Sequence, residues 1–162
     1  MSPISIGVVL PAYNEAESLA VVIPRVAARL ASHGLRFELL VVDDGSTDAT
    51  RNMVGALAHD QRQLRYLRLS RNFGKEAAIT AGLACATGDA VIIMDADGQH
   101  PVEIIDVFLA QWRAGKKVVY GVQRRRADNW FLSRAKDWFY RVLDSGSAIH
   151  IPAHAGDFRE RA

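Results

Sequence analysis

Three short segments of the 162-residue chain concentrate the side chains that could do chemistry. They are Pro11-Ala12-Tyr13-Asn14-Glu15, Asp43-Asp44-Gly45-Ser46-Thr47-Asp48 and Asp95-Ala96-Asp97-Gly98-Gln99-His100-Pro101. If one surface gathers them, five carboxylates (Glu15, Asp43, Asp44, Asp95 and Asp97) crowd together, a repulsive arrangement unless a cation joins them. A divalent metal is the economical answer. Asp95 and Asp97, one residue apart, can both face one ion, with Gln99 as a neutral oxygen ligand. Such an all-oxygen set suits Mg²⁺ or Mn²⁺ rather than Zn²⁺. The plainer alternative is that these acids cap helices. That reading suits Ser46 and Asp48, which fall where a helix begins. It suits the Asp-x-Asp pair less, because a cap needs one acid.

What must position these segments is legible from hydrophobic runs. Apolar stretches at 4–10, 37–42, 64–69, 90–94 and 117–122 are mostly β-branched and too short for buried helices. Three of them, Ile6-Gly7-Val8-Val9-Leu10, Leu39-Leu40-Val41-Val42 and Val91-Ile92-Ile93-Met94, are continuous, as in strands covered on both faces. Helix signals alternate with them. Asn14 with Glu17 reads as a cap before the stripe Leu19, Val22, Ile23, Val26 and Leu30, with a kink expected at Pro24. A second helix is expected from Ser46 or Thr47 to about Ala58, a third over 75–87 ending at Gly88, a fourth from Pro101 to Gly115, and a fifth over 131–143. The β-α-β-α-β order predicts an α/β domain, a doubly wound, mostly parallel sheet flanked by helices. Such sheets bind ligands beyond the carboxyl ends of their strands, where all three acidic segments fall.

Composition limits the alternatives. An apolar fraction of 49% excludes disorder, and the lone Cys85 excludes a disulfide framework and suits a reducing compartment. A net charge of +2 implies no general attraction to nucleic acid. The charge is unevenly spread, however. Between Trp112 and Arg141 nine basic side chains face two acidic ones, which marks a surface that meets anions. Trp130, Phe131, Trp138, Phe139 and Tyr140 interleave with Arg134, Lys136 and Arg141, so residues 112–145 fit either a helix lying on an anionic membrane or a core stripe with a solvated face. No run approaches the roughly 20 apolar residues of a membrane span. The first residues lack the basic stretch of a signal peptide. No Gly-x-Gly-x-x-Gly follows a strand, and Gly74-Lys75 is followed by Glu76 where a phosphate loop needs Ser or Thr, so two glycine-cradle nucleotide folds are set aside.

The ordered motifs Val8-Val9-Leu10-Pro11-Ala12-Tyr13-Asn14-Glu15, Val41-Val42-Asp43-Asp44-Gly45-Ser46-Thr47-Asp48, Arg71-Asn72-Phe73-Gly74-Lys75 and Asp95-Ala96-Asp97-Gly98-Gln99-His100-Pro101 resemble the GT-A glycosyltransferases of family 2 over nearly the whole chain. With Gly156-Asp157-Phe158-Arg159 they are most similar to the polyprenyl-phosphate branch, the dolichol-phosphate mannose synthases and undecaprenyl-phosphate glucosyltransferases. The resemblance implies a Rossmann-like GT-A domain spanning residues 1–162. It implies an inverting, metal-dependent transfer of a hexose from a nucleoside diphosphate sugar, UDP favoured, to a polyprenyl phosphate. Pro11, Tyr13, Glu15 and Asp44 would line base and ribose, with Asp43 supporting them. Gly74 and Lys75 would shape and charge the sugar-diphosphate pocket. Asp95, Asp97 and Gln99 would hold the metal. Arg124 or Arg126 and Arg159 would contact phosphates, and Asp157 would lie near the reacting sugar. The expected place is cytoplasmic, peripheral to the membrane face. Relatives of that branch continue well past the Gly-Asp-Phe-Arg motif, whereas this chain stops three residues after Arg159, which implies an acceptor half barely begun and an apolar edge that would favour a homo-oligomer. A saccharide or other hydroxyl acceptor, or a non-catalytic nucleotide-sugar-binding module, are the competing readings.

Overall fold

The computed structural model describes residues 5–98 and 101–119, together with the backbone of a terminal strand at Glu160–Arg161. In chain order the elements are β1 (Ser5–Ala12), α1 (Ala16–Ser32), β2 (Arg36–Asp43), α2 (Thr50–Asp60), β3 (Leu64–Arg68), α3 (Lys75–Cys85), β4 (Ala90–Ile93), α4 (Ile104–Arg113) and β5 (Glu160–Arg161). The sheet runs β3-β2-β1-β4-β5. β1 through β4 are mutually parallel, and β5 pairs antiparallel with β4 through Val91↔Arg161 and Ile92↔Glu160.

The continuous apolar strands divide their side chains between two layers, because successive residues of a strand face opposite sides. Ile6, Val8 and Leu10 with Leu39 and Val41 meet α1, α2 and α4, whereas Val9, Leu40, Val42 and Val91 meet α3. The predicted α1 stripe of Leu19, Val22, Ile23, Val26 and Leu30 is buried in full, each side chain stabilising the fold by roughly 1.5–3 kcal/mol relative to exposure. The helix continues through Pro24 for 17 residues. On the other face α3 lies so close to the sheet that a Cβ at Gly82 would stand 2.4 Å from Val9 Cγ1, so only glycine fits there without repacking.

Several boundaries differ from the sequence expectation. The second helix starts at Thr50, after a loop in which the amides of Ser46, Thr47 and Asp48 donate to the side chains of Asp43 and Asn14. The third ends at Cys85, after which Thr87 N–H donates to Glu38 Oε1 at 2.5 Å. Residues 101–103 form a turn before α4, with Ile104 N–H donating to the Pro101 carbonyl. The run at 117–122 was expected to be a strand, yet residues 117–119 are not in one. Val118 is 63% exposed, and the place beside β4 is taken by β5. The rest of that run, the expected helix over 131–143 and most of the basic 112–145 segment lie outside the described residues. No helix among the described residues is long and apolar enough to cross a membrane.

Candidate functional site

β1, β2 and β4 end side by side, and the loops that follow them enclose a cavity of about 330 Å³. Its wall includes Pro11 at the end of β1 and Tyr13 and Glu15 after it, Asp44 after β2, Asn72 and Gly74 before α3, Lys75 at its first position, and Asp95 and Asp97 after β4. The structure thus brings together the Pro11, Tyr13, Glu15, Asp44, Gly74, Lys75, Asp95 and Asp97 of the sequence reading. Asp43 stands behind this wall rather than in it. Gln99, Arg124, Arg126, Asp157 and Arg159 lie outside the described residues.

The acidic doublet is split by the two faces of the sheet. Val41 belongs to the α1/α2 layer and Val42 to the α3 layer, so the same alternation sends Asp43 to the first side and Asp44 to the second. Asp43, fully buried, accepts hydrogen bonds from Ser46 N–H at 2.7 Å and from the Tyr66 hydroxyl, and Arg68 Nε stands 3.7 Å away. Burial, and then the bond to the Asp43 carboxylate, raise the Tyr66 hydroxyl above its ordinary pKa, so it stays a donor. Asp44 accepts Phe73 N–H on Oδ1 and Gly74 N–H on Oδ2, both at 2.8 Å. This clamp fixes the 72–75 segment against the end of β2. Gly45, at φ 73°, lets the two loops touch, since a Cβ there would lie 2.5 Å from the Arg71 carbonyl carbon.

Asn14 ties the first loop to the second. Its φ of 56° is a left-handed conformation that Asn tolerates, and its side-chain carbonyl accepts Thr47 N–H at 2.8 Å and Asp48 N–H at 3.3 Å. It is therefore not the cap of α1 expected from the sequence. Instead its own N–H donates to Ser46 Oγ, and Ala16 N–H, at the start of α1, donates to Asp48 Oδ2. Asp48, which precedes α2, also accepts Thr50 N–H, so one carboxylate serves the first amides of α1 and α2, whereas Ser46, expected to cap with it, accepts Asn14 N–H instead. Slight burial raises its carboxyl, but the bonds from Thr50 and Ala16 outweigh that and leave it lowered.

Repulsion among the five acids is thus largely answered within the chain. Backbone N–H groups and Tyr66 serve Asp43 and Asp44, and Lys75 Nζ lies 2.8 Å from Asp95 Oδ1. No group of three or more His, Cys, Asp or Glu able to hold a metal occurs among the described residues. Asp95 and Asp97 nevertheless fit a hard divalent ion, since Mg²⁺ sites commonly use one or two carboxylates and complete the shell with phosphate oxygens and water. The ammonium on Asp95 marks a place where positive charge is already accommodated. Asn72, which lines the cavity between Gly74 and Asp44, was not singled out from sequence. Its signal was its place inside Arg71-Asn72-Phe73-Gly74-Lys75, the segment that Asp44 holds.

Comparison with known proteins agrees with this architecture. Among curated relatives, the chain is 38% identical over 157 residues to an uncharacterized glycosyltransferase of Synechocystis sp., covering 96% of this chain and 49% of that one. It is 36% identical to the prophage bactoprenol glucosyl transferase homolog of Escherichia coli K12 and 37% identical to the bactoprenol glucosyl transferase of Shigella phage SfV, covering 95% of this chain and 51% and 50% of theirs. The chain therefore spans about half the length of the curated relatives it matches. Among solved structures, glucosyl-3-phosphoglycerate synthase of Mycobacterium tuberculosis, in complex with Mn²⁺, UDP and phosphoglyceric acid, superposes with a TM-score of 0.68 at 24% identity, covering 98% of this chain and 56% of that one. At that identity the likeness establishes a shared GT-A fold. Residues 7–158 match the description "Glycosyl transferase family 2", and with these relatives the match shows that the chain belongs to that family.

Proposed function

We propose that this chain is the donor-binding part of an inverting, metal-dependent transferase that moves a hexosyl group from a nucleoside diphosphate sugar, UDP-sugar favoured, to a polyprenyl phosphate. The observation that carries the reading is the single cavity in which Tyr13, Glu15, Lys75, Asp95 and Asp97 meet at the strand ends. Relatives named bactoprenol glucosyl transferase support the acceptor class. In this reading Pro11, Tyr13, Glu15 and Asp44 bound the base and ribose end, while Gly74 and Lys75 bound the diphosphate end. Asp95 and Asp97, with Gln99, hold Mg²⁺ or Mn²⁺. Arg124 or Arg126 and Arg159 contact phosphates, and Asp157 lies near the reacting sugar.

The transfer is a single displacement. A phosphate oxygen of the acceptor attacks the anomeric carbon, the bond from that carbon to the diphosphate oxygen breaks, and its electron pair departs with the nucleoside diphosphate. One displacement inverts the anomeric centre. The acceptor oxygen is already ionised at neutral pH, so the chain needs no strong general base. Negative charge builds on the leaving diphosphate, and the Lys75 ammonium, which lines the same cavity, would offset it. A divalent ion bound at Asp95 and Asp97 would supply further positive charge at that point. The basic, aromatic 112–145 segment would bring the site to the cytoplasmic face of an anionic membrane.

Calorimetric titration with UDP and with GDP, each with and without Mn²⁺, tests the donor site. Metal-dependent UDP binding of about −8 kcal/mol, a micromolar affinity, is expected for the parent chain and its loss in Asp97→Ala. Absence of binding to either nucleotide would overturn the reading. Transfer of labelled glucose to undecaprenyl phosphate in anionic vesicles tests the acceptor, and turnover only on a saccharide hydroxyl would reassign it.

A further inference from the structure

Lys75 is the first residue of α3, and its ammonium lies 2.8 Å from Asp95 Oδ1 at the mouth of the cavity. A helix N-terminus favours anions, so a cation placed there is held by its carboxylate partner rather than by the helix. The Lys75 side chain is 40% exposed and that of Asp95 is 19% exposed, so the ammonium is the more solvent-accessible member of the pair at the end of β4. The same Asp95 is one of the two carboxylates that fit a divalent ion. An ammonium and a divalent ion cannot share one carboxylate oxygen without strong repulsion.

Resting on the donor-site reading above, we propose that Lys75 is an exchangeable counter-ion. It neutralises Asp95 in the empty site and moves onto the incoming diphosphate when a divalent ion and the nucleotide arrive together. A metal ion alone must displace the ammonium and then sit beside it. A nucleotide alone meets the carboxylates of Asp95 and Asp97. When both are bound, the divalent ion meets the two carboxylates and the ammonium meets the diphosphate, so each promotes the other. Because linkage is reciprocal, the factor by which UDP tightens Mn²⁺ equals the factor by which Mn²⁺ tightens UDP. Lys75 thereby discourages the site from loading metal without its nucleotide.

The test is a Mn²⁺ titration followed through the paramagnetic resonance signal of the free ion, without and with saturating UDP, on the parent chain, Lys75→Met and Lys75→Arg. In the parent, UDP should tighten Mn²⁺ by about tenfold or more. In Lys75→Met, Mn²⁺ alone should bind about tenfold more tightly than in the parent, and the UDP effect should shrink to a few-fold. Lys75→Arg, which keeps the charge, should retain the parental coupling, and thermal melting should show all three chains folded. Unchanged or weaker binding of Mn²⁺ alone in Lys75→Met, with Mn²⁺ and UDP still binding together, would overturn the counter-ion role and leave the donor site standing. A parent chain that binds no Mn²⁺ with UDP would overturn the donor-site reading and this inference with it.

Discussion

Replacing Asp44 with alanine removes the acceptor of two backbone N–H groups at once, those of Phe73 and Gly74, each 2.8 Å from a different oxygen of a carboxylate that is 3% exposed. A hydrogen bond to a charged group contributes about 1.5–3 kcal/mol. Phe73 is half exposed, so water can reach the freed amides, and the low end applies, giving about 3 kcal/mol for the pair. In a chain of 162 residues each kcal/mol lowers the melting temperature by roughly 2–4 °C, so Asp44→Ala should melt roughly 6–12 °C below the parent. Asp44→Asn keeps the shape and one acceptor but turns an NH₂ toward a backbone N–H, and should fall between the two. The assay is thermal unfolding by circular dichroism, paired with UDP calorimetry on the same samples well below the transition. An Asp44→Ala chain that melts within about 2 °C of the parent yet loses UDP binding would refute the clamp, because the carboxylate would then serve the nucleotide rather than the loop.

The other predictions test the frame around that clamp. Gly45→Ala places a Cβ 2.5 Å from the Arg71 carbonyl carbon at a φ of 73°, and backbone cannot yield as a side chain can. It should cost more in urea unfolding than Gly82→Ala, whose Cβ meets only side chains, those of Val9 and Val42, and whose overpacking cost is about 1–3 kcal/mol. Tyr66→Phe deletes the hydroxyl that donates to buried Asp43 and should destabilise the chain by about 1–3 kcal/mol, read from its urea midpoint. Burial raises the Glu38 carboxyl, but bonds from Thr87 and Arg65 outweigh it and leave its pKa below the ordinary 4.5. A lowered folded value means stability that is present above about pH 4.5 and lost as pH falls through the folded value. Glu38→Gln should therefore flatten the acid limb of a stability-against-pH curve, and an unchanged limb would refute that assignment.

Much of this frame was legible before any coordinates because local pattern and global fold agree in it. Three continuous apolar runs became β1, β2 and β4, the run at 64–69 became β3, and the spacing of Leu19 through Leu30 marks the buried face of α1. The departures come mostly from distant partners. The role of Asn14 and the segment that follows α3 are set by groups 32 to 49 residues away, namely Ser46 and Thr47 for Asn14 and Glu38 for Thr87. Cap preferences describe a helix by itself and do not see such partners. Residues 117–119 of the expected strand at 117–122 are not in one, since a β-branched run becomes a strand only where a neighbour offers an unpaired edge, and β5 already holds that edge of β4.

The acidic doublet shows that one distant arrangement was nevertheless within reach of the sequence. Strand parity carried one residue past the end of β2 predicts that Asp43 and Asp44 turn to opposite layers. Asp43 turns to the layer of Tyr66 and Arg68, and locks the start of the 43–48 loop. Asp44 turns to the α3 layer and holds the segment that carries Asn72, Gly74 and Lys75. The doublet thereby couples the ends of β2 and β3 to the loop before α3, and through Ser46 and Asn14 to the loop after β1. Lys75 extends the chain of contacts to Asp95 after β4. Charges that would repel one another as free side chains become, through these bonds, the ties that set four strand ends around one cavity.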